Sequence, residues 1–289
     1  MTGPLRLDGV FGVLPTAFHD DDALDLDGTA ALVHAYVDAG VAGVTALGVM
    51  GEAAELTEEE RRRVMAAAVA GAAPRPVIVG VSGETREIVG ARARDAAGRG
   101  VSAVMVSPSR TLGLREAVDA AADGGLPVVV QDYPAGSGVV LDHDAIAAVA
   151  DGCRLVVGVK AEAPPTTGLI AALHRSHPGL GLLGGLGGLF LIDELRAGAT
   201  GVMTGLAVPD RLVSIVARYA TDPAGAERAW TDLLPLMRLE AFQPFSLAAR
   251  KEVWRLRGVI GSARCRRAGA TLDERARDDV RRALDRVLA

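Results

Sequence analysis

Short β-branched segments alternate with longer amphipathic segments eight times in the first 220 residues of this chain of 289. The pattern predicts strands at 9–18, 43–48, 76–82, 102–107, 126–133, 154–160, 180–185 and 200–205. Helical periodicity falls between them, at 27–39, 57–72, 85–99, 114–123, 142–151, 166–177, 189–197 and 209–220. Such alternation is typical of a parallel sheet covered by helices.

Eight strand–helix units predict an α/β fold, a (β/α)8 barrel, because eight is the number at which this sheet closes. The main rival is an open doubly wound sheet, which usually carries a glycine-rich dinucleotide fingerprint after its first strand. Here "HDDDALDLDG" follows the first strand and contains no such fingerprint. After residue 220 the pattern changes to three helices without strands. We therefore predict a barrel at 1–220 and a C-terminal helical appendage at 221–289.

Composition narrows the classes of function. A net charge of −5 argues against a nucleic-acid partner or an anionic membrane surface. Two cysteines, Cys153 and Cys265, are too few for a disulfide framework and are typical of a cytoplasmic protein. The first residues lack the pattern of a signal peptide, and no run of about 20 apolar residues is present. We expect a cytoplasmic globular protein.

Lysine usage directs attention to one position. The chain has 31 Lys plus Arg residues, and only Lys160 and Lys251 are lysines. Lys160 ends the apolar strand "RLVVGVK", and catalytic groups of such barrels lie at the carboxyl ends of strands. Arginine cannot become a neutral amine, whereas desolvation at an apolar barrel mouth disfavours the ammonium form of a lysine. Lys160 is therefore the predicted nucleophile, and Lys251 is assigned no catalytic part.

Two further residues are candidate proton shuttles. Glu162 would share the face of Lys160 if the strand continues, although it is equally compatible with a solvated loop acid before Pro164 and Pro165. Tyr133 ends strand five, where it is either a shuttle or a packing residue.

Several motifs resemble the dihydrodipicolinate synthase and N-acetylneuraminate lyase family. They are the G-x-x-G-E loop after strand two, the V-x-G-x-K strand six, "TEEER", "GATGVMTG" and the trailing helices. The resemblance implies a barrel that is usually tetrameric, with Lys160 forming an imine with a 2-oxo acid. "VVVQDYPAGSG", "KAEAP" and "ARKEVWRLRGVI" are similar to a branch that includes 2-keto-3-deoxy-L-arabonate dehydratase.

The chain also departs from the family pattern at the positions that hold the substrate. Where the family writes G-T-T-G-E, with hydroxyls that bind the substrate carboxylate, this chain writes "GVMGE", with Val49 and Met50. Where the family has a tyrosine shuttle in Y-N-x-P, this chain has Gln131, and Tyr133 follows two residues later. The resemblance therefore points away from dihydrodipicolinate synthase itself.

The predicted function is a Schiff-base lyase that dehydrates a 2-keto-3-deoxy sugar acid. The alternatives are a pyruvate-dependent aldolase and a barrel that binds a small acidic metabolite without turnover. Lys160, Tyr133 and Glu162 are the predicted catalytic residues, and Val49, Met50, Gln131 and Gly185 the predicted substrate-binding residues. We expect a homo-oligomer, either a tetramer or a dimer.

Three sequence features give weaker indications. In "GGLGG" (184–188), the small residues are expected to leave room for the substrate chain, since the loop lacks the cations of a phosphate site. No H-E-x-x-H, CxxC or P-loop motif is present, so no metal or cofactor is expected. The basic stretch from Arg250 to Arg267 is interpreted as a solvated helical face.

Overall fold

Eight parallel strands form a closed barrel in the computed structural model, which describes residues 5–241 and 245–289. Each strand pairs with the next in the chain, and β8 pairs with β1. The strands are β1 Gly9–Val13, β2 Gly43–Ala46, β3 Val77–Gly80, β4 Ala103–Val106, β5 Val128–Asp132, β6 Val156–Ala161, β7 Gly181–Gly184 and β8 Gly201–Thr204. The predicted (β/α)8 barrel is confirmed.

Helices surround the barrel and extend beyond it. They are α1 Leu26–Asp38, α2 Glu58–Ala72, α3 Arg86–Ala97, α4 Leu114–Ala122, α5 Pro134–Ser137, α6 His143–Gly152, α7 Thr166–Ser176, α8 Leu191–Arg196, α9 Pro209–Tyr219, α10 Pro223–Ala241, α11 Phe245–Leu256 and α12 Glu274–Leu288. Thr57 and Glu60 form the expected capping box at α2, and Asp142 caps α6, so the backbone N–H groups of these first turns are satisfied. Within the described ranges, no helix is both long and apolar enough to cross a membrane.

The strands are apolar because both of their faces are buried. Side chains that point into the barrel form one cluster, which includes Phe11, Ile78, Met105, Leu183 and Met203. Alternate residues face the helices and belong to a larger cluster. Since the barrel interior is packed, the reactive groups are confined to the carboxyl ends of the strands.

The three C-terminal helices pack against the barrel's outer helices and one another. The Trp254 ring of α11 is fully buried and lies edge-on against Tyr36 of α1, with 5.2 Å between the ring centroids. The division at residue 220 stays a prediction.

One expectation about this region is wrong. Arg250, Lys251 and Glu252 are buried, although the basic stretch was expected to be a solvated face. Arg250 and Lys251 can be buried because each forms an ion pair with a buried glutamate, Glu240 and Glu52 respectively.

Candidate active site

Lys160 lies at the carboxyl end of β6 and is 5% exposed. The strand continues one residue further than expected, to Ala161, and Lys160 lies beside Gln131 of β5 in the sheet register. Lys160 lines a cavity of about 40 Å³ at the top of the barrel. A larger cavity of about 430 Å³ adjoins it, since Gly48, Gln131 and Tyr133 line both.

Glu162 is brought directly to the lysine. Its Oε2 lies 3.2 Å from Lys160 Nζ and accepts a 2.7 Å hydrogen bond from Gln131 Nε2. The Leu186 backbone N–H donates to Oε1 at 3.3 Å. Glu162 is only 9% exposed, so it is a buried and hydrogen-bonded carboxylate, not the solvated loop acid of the alternative interpretation.

The loop after β7 leaves the space that the Glu162 carboxylate occupies beside Lys160. A Cβ added to Gly185 would lie 2.3 Å from Glu162 Cγ, so a side chain at this position would displace the carboxylate. Leu186 has a φ of 47°, in the left-handed region, and its N–H faces Glu162. Gly185 thus makes room for Glu162, while the next glycine, Gly187, lines the cavity.

Tyr133 follows β5 and lines both cavities. Its ring packs so closely on Gly136 of α5 that a Cβ there would lie 2.5 Å from Cδ1. Burial, with a further contribution from the Glu162 charge, raises the pKa of the Tyr133 phenol. The hydroxyl is therefore protonated at neutral pH and can act as a donor.

Val49 and Met50 lie in a 3₁₀ turn after β2, and both line the cavity of Lys160. Two non-glycine residues flank this turn in the left-handed region, Leu47 at φ 57° and Glu52 at φ 52°. Such backbone is costly and persists only where the surroundings fix it. The Val49 and Met50 side chains carry no hydroxyl, so the turn cannot bind a substrate carboxylate through side-chain hydroxyls at these two positions.

A buried ion pair holds this turn from behind. Lys251 Nζ lies 2.5 Å from Glu52 Oε1 and also donates to the Arg264 carbonyl at 2.7 Å. Glu52 Oε2 accepts from the Arg267 backbone N–H at 2.7 Å, and Arg267 Nη2 donates to the Val49 carbonyl. The C-terminal region therefore fixes the loop that faces Lys160.

Sequence reasoning missed two of these features. The Glu52–Lys251 pair joins residues 199 positions apart, which no local pattern reveals. Arg250 lines the cavity of Lys160 from α11, on the same helical face as Ser246. The apolar residues around it in "FSLAARKEVW" were the available signal that this stretch is buried.

Comparison with known proteins places this geometry in a family. The model of the dihydrodipicolinate synthetase family matches residues 6–287. The chain belongs to this family. The resemblance predicted from the motifs is confirmed, and the chain is a lyase of the lysine-imine type that acts on carbon–oxygen or carbon–carbon bonds.

Within the dihydrodipicolinate synthetase family, the relatives differ in activity. L-2-keto-3-deoxyarabonate dehydratase of Azospirillum brasilense is 33% identical over 279 residues, which are 89% of this chain and 87% of that protein. 4-Hydroxy-tetrahydrodipicolinate synthase of Stenotrophomonas maltophilia is 33% identical over 69% of each chain. The crystal structure of dihydrodipicolinate synthase from Rhodopseudomonas palustris superposes with a TM-score of 0.92 at 33% identity, covering 99% of this chain and 100% of that one.

Proposed function

We propose that this lyase dehydrates a 2-keto-3-deoxy sugar acid through an imine on Lys160, with Glu162 as the proton shuttle. The observation that carries the proposal is the 3.2 Å separation of Lys160 Nζ and Glu162 Oε2 inside a cavity. A nucleophilic amine and a base within hydrogen-bond reach of each other are the minimum set for imine chemistry.

The reaction starts at the C2 carbonyl of the substrate. Neutral Lys160 adds to C2, and loss of water gives a protonated imine, which withdraws electrons from C3. The Glu162 carboxylate then takes a C3 proton, leaving an enamine. The enamine re-forms the imine as the C4–O bond breaks, and the departing hydroxyl takes a proton and leaves as water. Hydrolysis of the imine releases the dehydrated oxo acid and regenerates Lys160.

The remaining candidates support these steps. Gln131, in the place of the family tyrosine, donates to Glu162 and fixes the carboxylate beside the amine. Tyr133 supplies a protonated phenol at the cavity wall, suited to the leaving hydroxyl. Val49 and Met50 shape the wall of the carboxylate site, and Gly185 leaves space for Glu162.

A pyruvate-dependent aldolase is the competing activity. The same imine would let C3–C4 break if a base removed the proton of the C4 hydroxyl instead of the C3 proton. Three observations favour dehydration: a carboxylate base stands next to the amine, glutamine replaces the tyrosine shuttle, and the dehydratase relative matches 89% of the chain.

Product analysis tests the proposal. Purified protein is incubated with 2-keto-3-deoxy-L-arabonate and with its six-carbon homologue, and the products are separated by mass. We expect an oxo acid lighter by one water and no pyruvate. Release of pyruvate with an aldehyde would establish the aldolase, and an unchanged substrate with no borohydride-trapped adduct would end the imine proposal.

We also propose that the protein works as a homo-oligomer, a dimer or a tetramer, in the cytoplasm. Family membership supports the oligomer, and the free thiols of Cys153 and Cys265 suit a reducing compartment. Light scattering coupled to gel filtration measures the subunit number, and a monomer at micromolar concentration would contradict it.

A further inference from the structure

We propose that Arg250 is the counter-ion of the substrate carboxylate, in place of the hydroxyls that Val49 and Met50 lack. The inference rests on the proposed function, since it concerns the binding of a 2-oxo acid to Lys160. It assigns a role to a residue of α11 that the catalytic steps above do not use.

The position of Arg250 leaves one side of its guanidinium facing the cavity. Its Nε and Nη2 donate to the Glu240 carboxylate and backbone carbonyl, at 3.2 and 2.7 Å. A Cβ added to Gly205 would lie 3.1 Å from Nη1, and one added to Gly187 would lie 3.6 Å from Nη2. Both glycines line the cavity of Lys160, so the lack of side chains there keeps the guanidinium uncovered on that side.

Charge balance in the cavity requires such a cation. Among the described residues that line it, Lys160, Glu162 and Arg250 are the ones with a basic or a carboxylate side chain. The imine keeps the positive charge of Lys160, which the Glu162 carboxylate balances at 3.2 Å. A bound 2-oxo acid adds one negative charge, and a buried charge is stable only when it is paired. Arg250 supplies that pair.

The ion pair with Glu240 does not prevent Arg250 from binding a substrate carboxylate. The Glu240 side chain is fully buried, and burial, opposed by the Arg250 charge, raises the pKa of Glu240 to about 7. Burial therefore disfavours the ionised form of Glu240 even beside Arg250. The guanidinium keeps a positive charge that a substrate carboxylate can bind.

Ser246 provides a second observation on the same helix face. Its hydroxyl is buried and has no hydrogen-bond partner among the residues that the structure describes, and Ser246 lines the same cavity. Positions 246 and 250 are one turn apart, so α11 presents a hydroxyl and a guanidinium together. This pair could supply hydrogen-bond donors in place of the hydroxyls of the family's β2 loop.

The test compares two ligands of similar size, one with a carboxylate and one with a neutral amide in its place. Pyruvate and the uncharged pyruvamide are titrated against the protein, each imine is trapped with borohydride, and the trapped fraction is read by intact mass. Arg250→Met is combined with Glu240→Gln, so that no buried carboxylate is left unpaired. Glu240→Gln alone, Arg250→Lys and Arg238→Met, the last an exposed arginine of the neighbouring helix α10, are the comparison variants.

We expect the double variant to raise the half-saturating pyruvate concentration about 10- to 100-fold, the loss of one charge-assisted contact. The half-saturating pyruvamide concentration should change by less than about threefold, Arg238→Met should match the parent protein, and Arg250→Lys should keep part of the preference for pyruvate. An unchanged pyruvate-to-pyruvamide ratio in the double variant would overturn the inference. So would weaker binding confined to the longer 2-keto-3-deoxy acids, which would make Arg250 a contact of the distal chain. If the parent protein forms no adduct with either ligand, the proposed function itself has failed.

Discussion

Two buried lysine–glutamate pairs lie in the described part of the molecule, and one of them, Lys160–Glu162, lines a cavity. Lys160 lies 3.2 Å from Glu162 at the top of the barrel, while Lys251 lies 2.5 Å from Glu52 behind the β2 loop. Lys251 is fully buried, also donates to the Arg264 carbonyl, and lies 4.5 Å from the centre of the Phe18 ring. The Lys251 ammonium thus contacts the Glu52 carboxylate, the Arg264 carbonyl and the face of the Phe18 ring.

The difference shows what separates a reactive lysine from a structural one in the same fold. Both amines are desolvated and both have a carboxylate, so neither burial nor charge pairing distinguishes them. The Lys160 amine opens onto a space where a carbonyl can approach, and its carboxylate is held by Gln131 and Leu186 beside that space. We expect the first pair to carry chemistry and the second to carry stability.

Removing the first lysine should have the largest effect. Lys160→Met is expected to lower kcat by about 10⁴-fold or more, because no other group can form the imine. The melting temperature should change by only a few degrees. Steady-state rates and thermal unfolding measure the two quantities, and retention of even one tenth of the activity would contradict the assignment.

Removing the second lysine should reverse this pattern. Lys251→Met leaves Glu52 buried without its cation and should lower the free energy of unfolding by about 3–5 kcal/mol. The double variant Lys251→Met/Glu52→Gln should recover part of that loss, since it leaves no isolated charge. Urea unfolding at fixed pH measures both, and a Lys251→Met protein as stable as the parent would show that the pair does not hold the loop.

The two glutamates allow a matched comparison with one substitution. Glu162→Gln should lower kcat about 10²- to 10³-fold, the range of a lost proton shuttle, while the pyruvate imine on Lys160 is still trapped. Glu52→Gln should lower stability more than turnover per folded molecule. If both variants lost the same fraction of activity at equal folded concentration, the result would contradict a catalytic role for Glu162.

Another buried carboxylate, Glu194, has no lysine partner in the described part of the chain. Glu194 Oε1 accepts from the Thr166 hydroxyl at 2.7 Å, and Oε2 is buried without a partner in the described part of the chain. Burial, with a smaller contribution from the Glu162 charge, raises the pKa of Glu194 from 4.5 to about 7. The folded protein thus binds this proton more tightly than the unfolded chain does.

The raised pKa of Glu194 sets the sign with which the free energy of unfolding depends on pH. This is the smallest of the four predicted effects. The stabilisation is fully present below about pH 4.5 and is lost as the pH rises through about 7. Glu194→Gln should remove a decrease of the order of 2 kcal/mol in the free energy of unfolding between these limits. Urea unfolding at pH 5 and pH 8 in the two proteins measures it, and equal pH slopes would contradict the prediction.

The sequence predicted those parts of the molecule that depend on neighbouring residues. The eight strands and the cap at Thr57 follow from local periodicity and short-range hydrogen bonds. Lys160 is predicted as the nucleophile because it is one of two lysines in the chain and ends an apolar strand. The role of Glu162 stayed open, since its burial depends on Gln131 and Leu186, which are 31 and 24 residues away.

The C-terminal charges show why the rest could not be predicted. Arg250 and Lys251 look like a solvated basic face until Glu240 and Glu52 are known to lie beside them. An ion pair across 199 residues leaves no trace in local composition. The boundaries of the cavity depend in the same way on loops from several strands.

Locating the imine on the chain tests the role of Lys160 most directly. The protein is reduced with borohydride in the presence of pyruvate or a 2-keto-3-deoxy acid, digested, and mapped by mass spectrometry. We predict one adduct per chain, on Lys160, with Lys251 unmodified. An adduct on Lys251, or none on Lys160 with any 2-oxo acid, would contradict it.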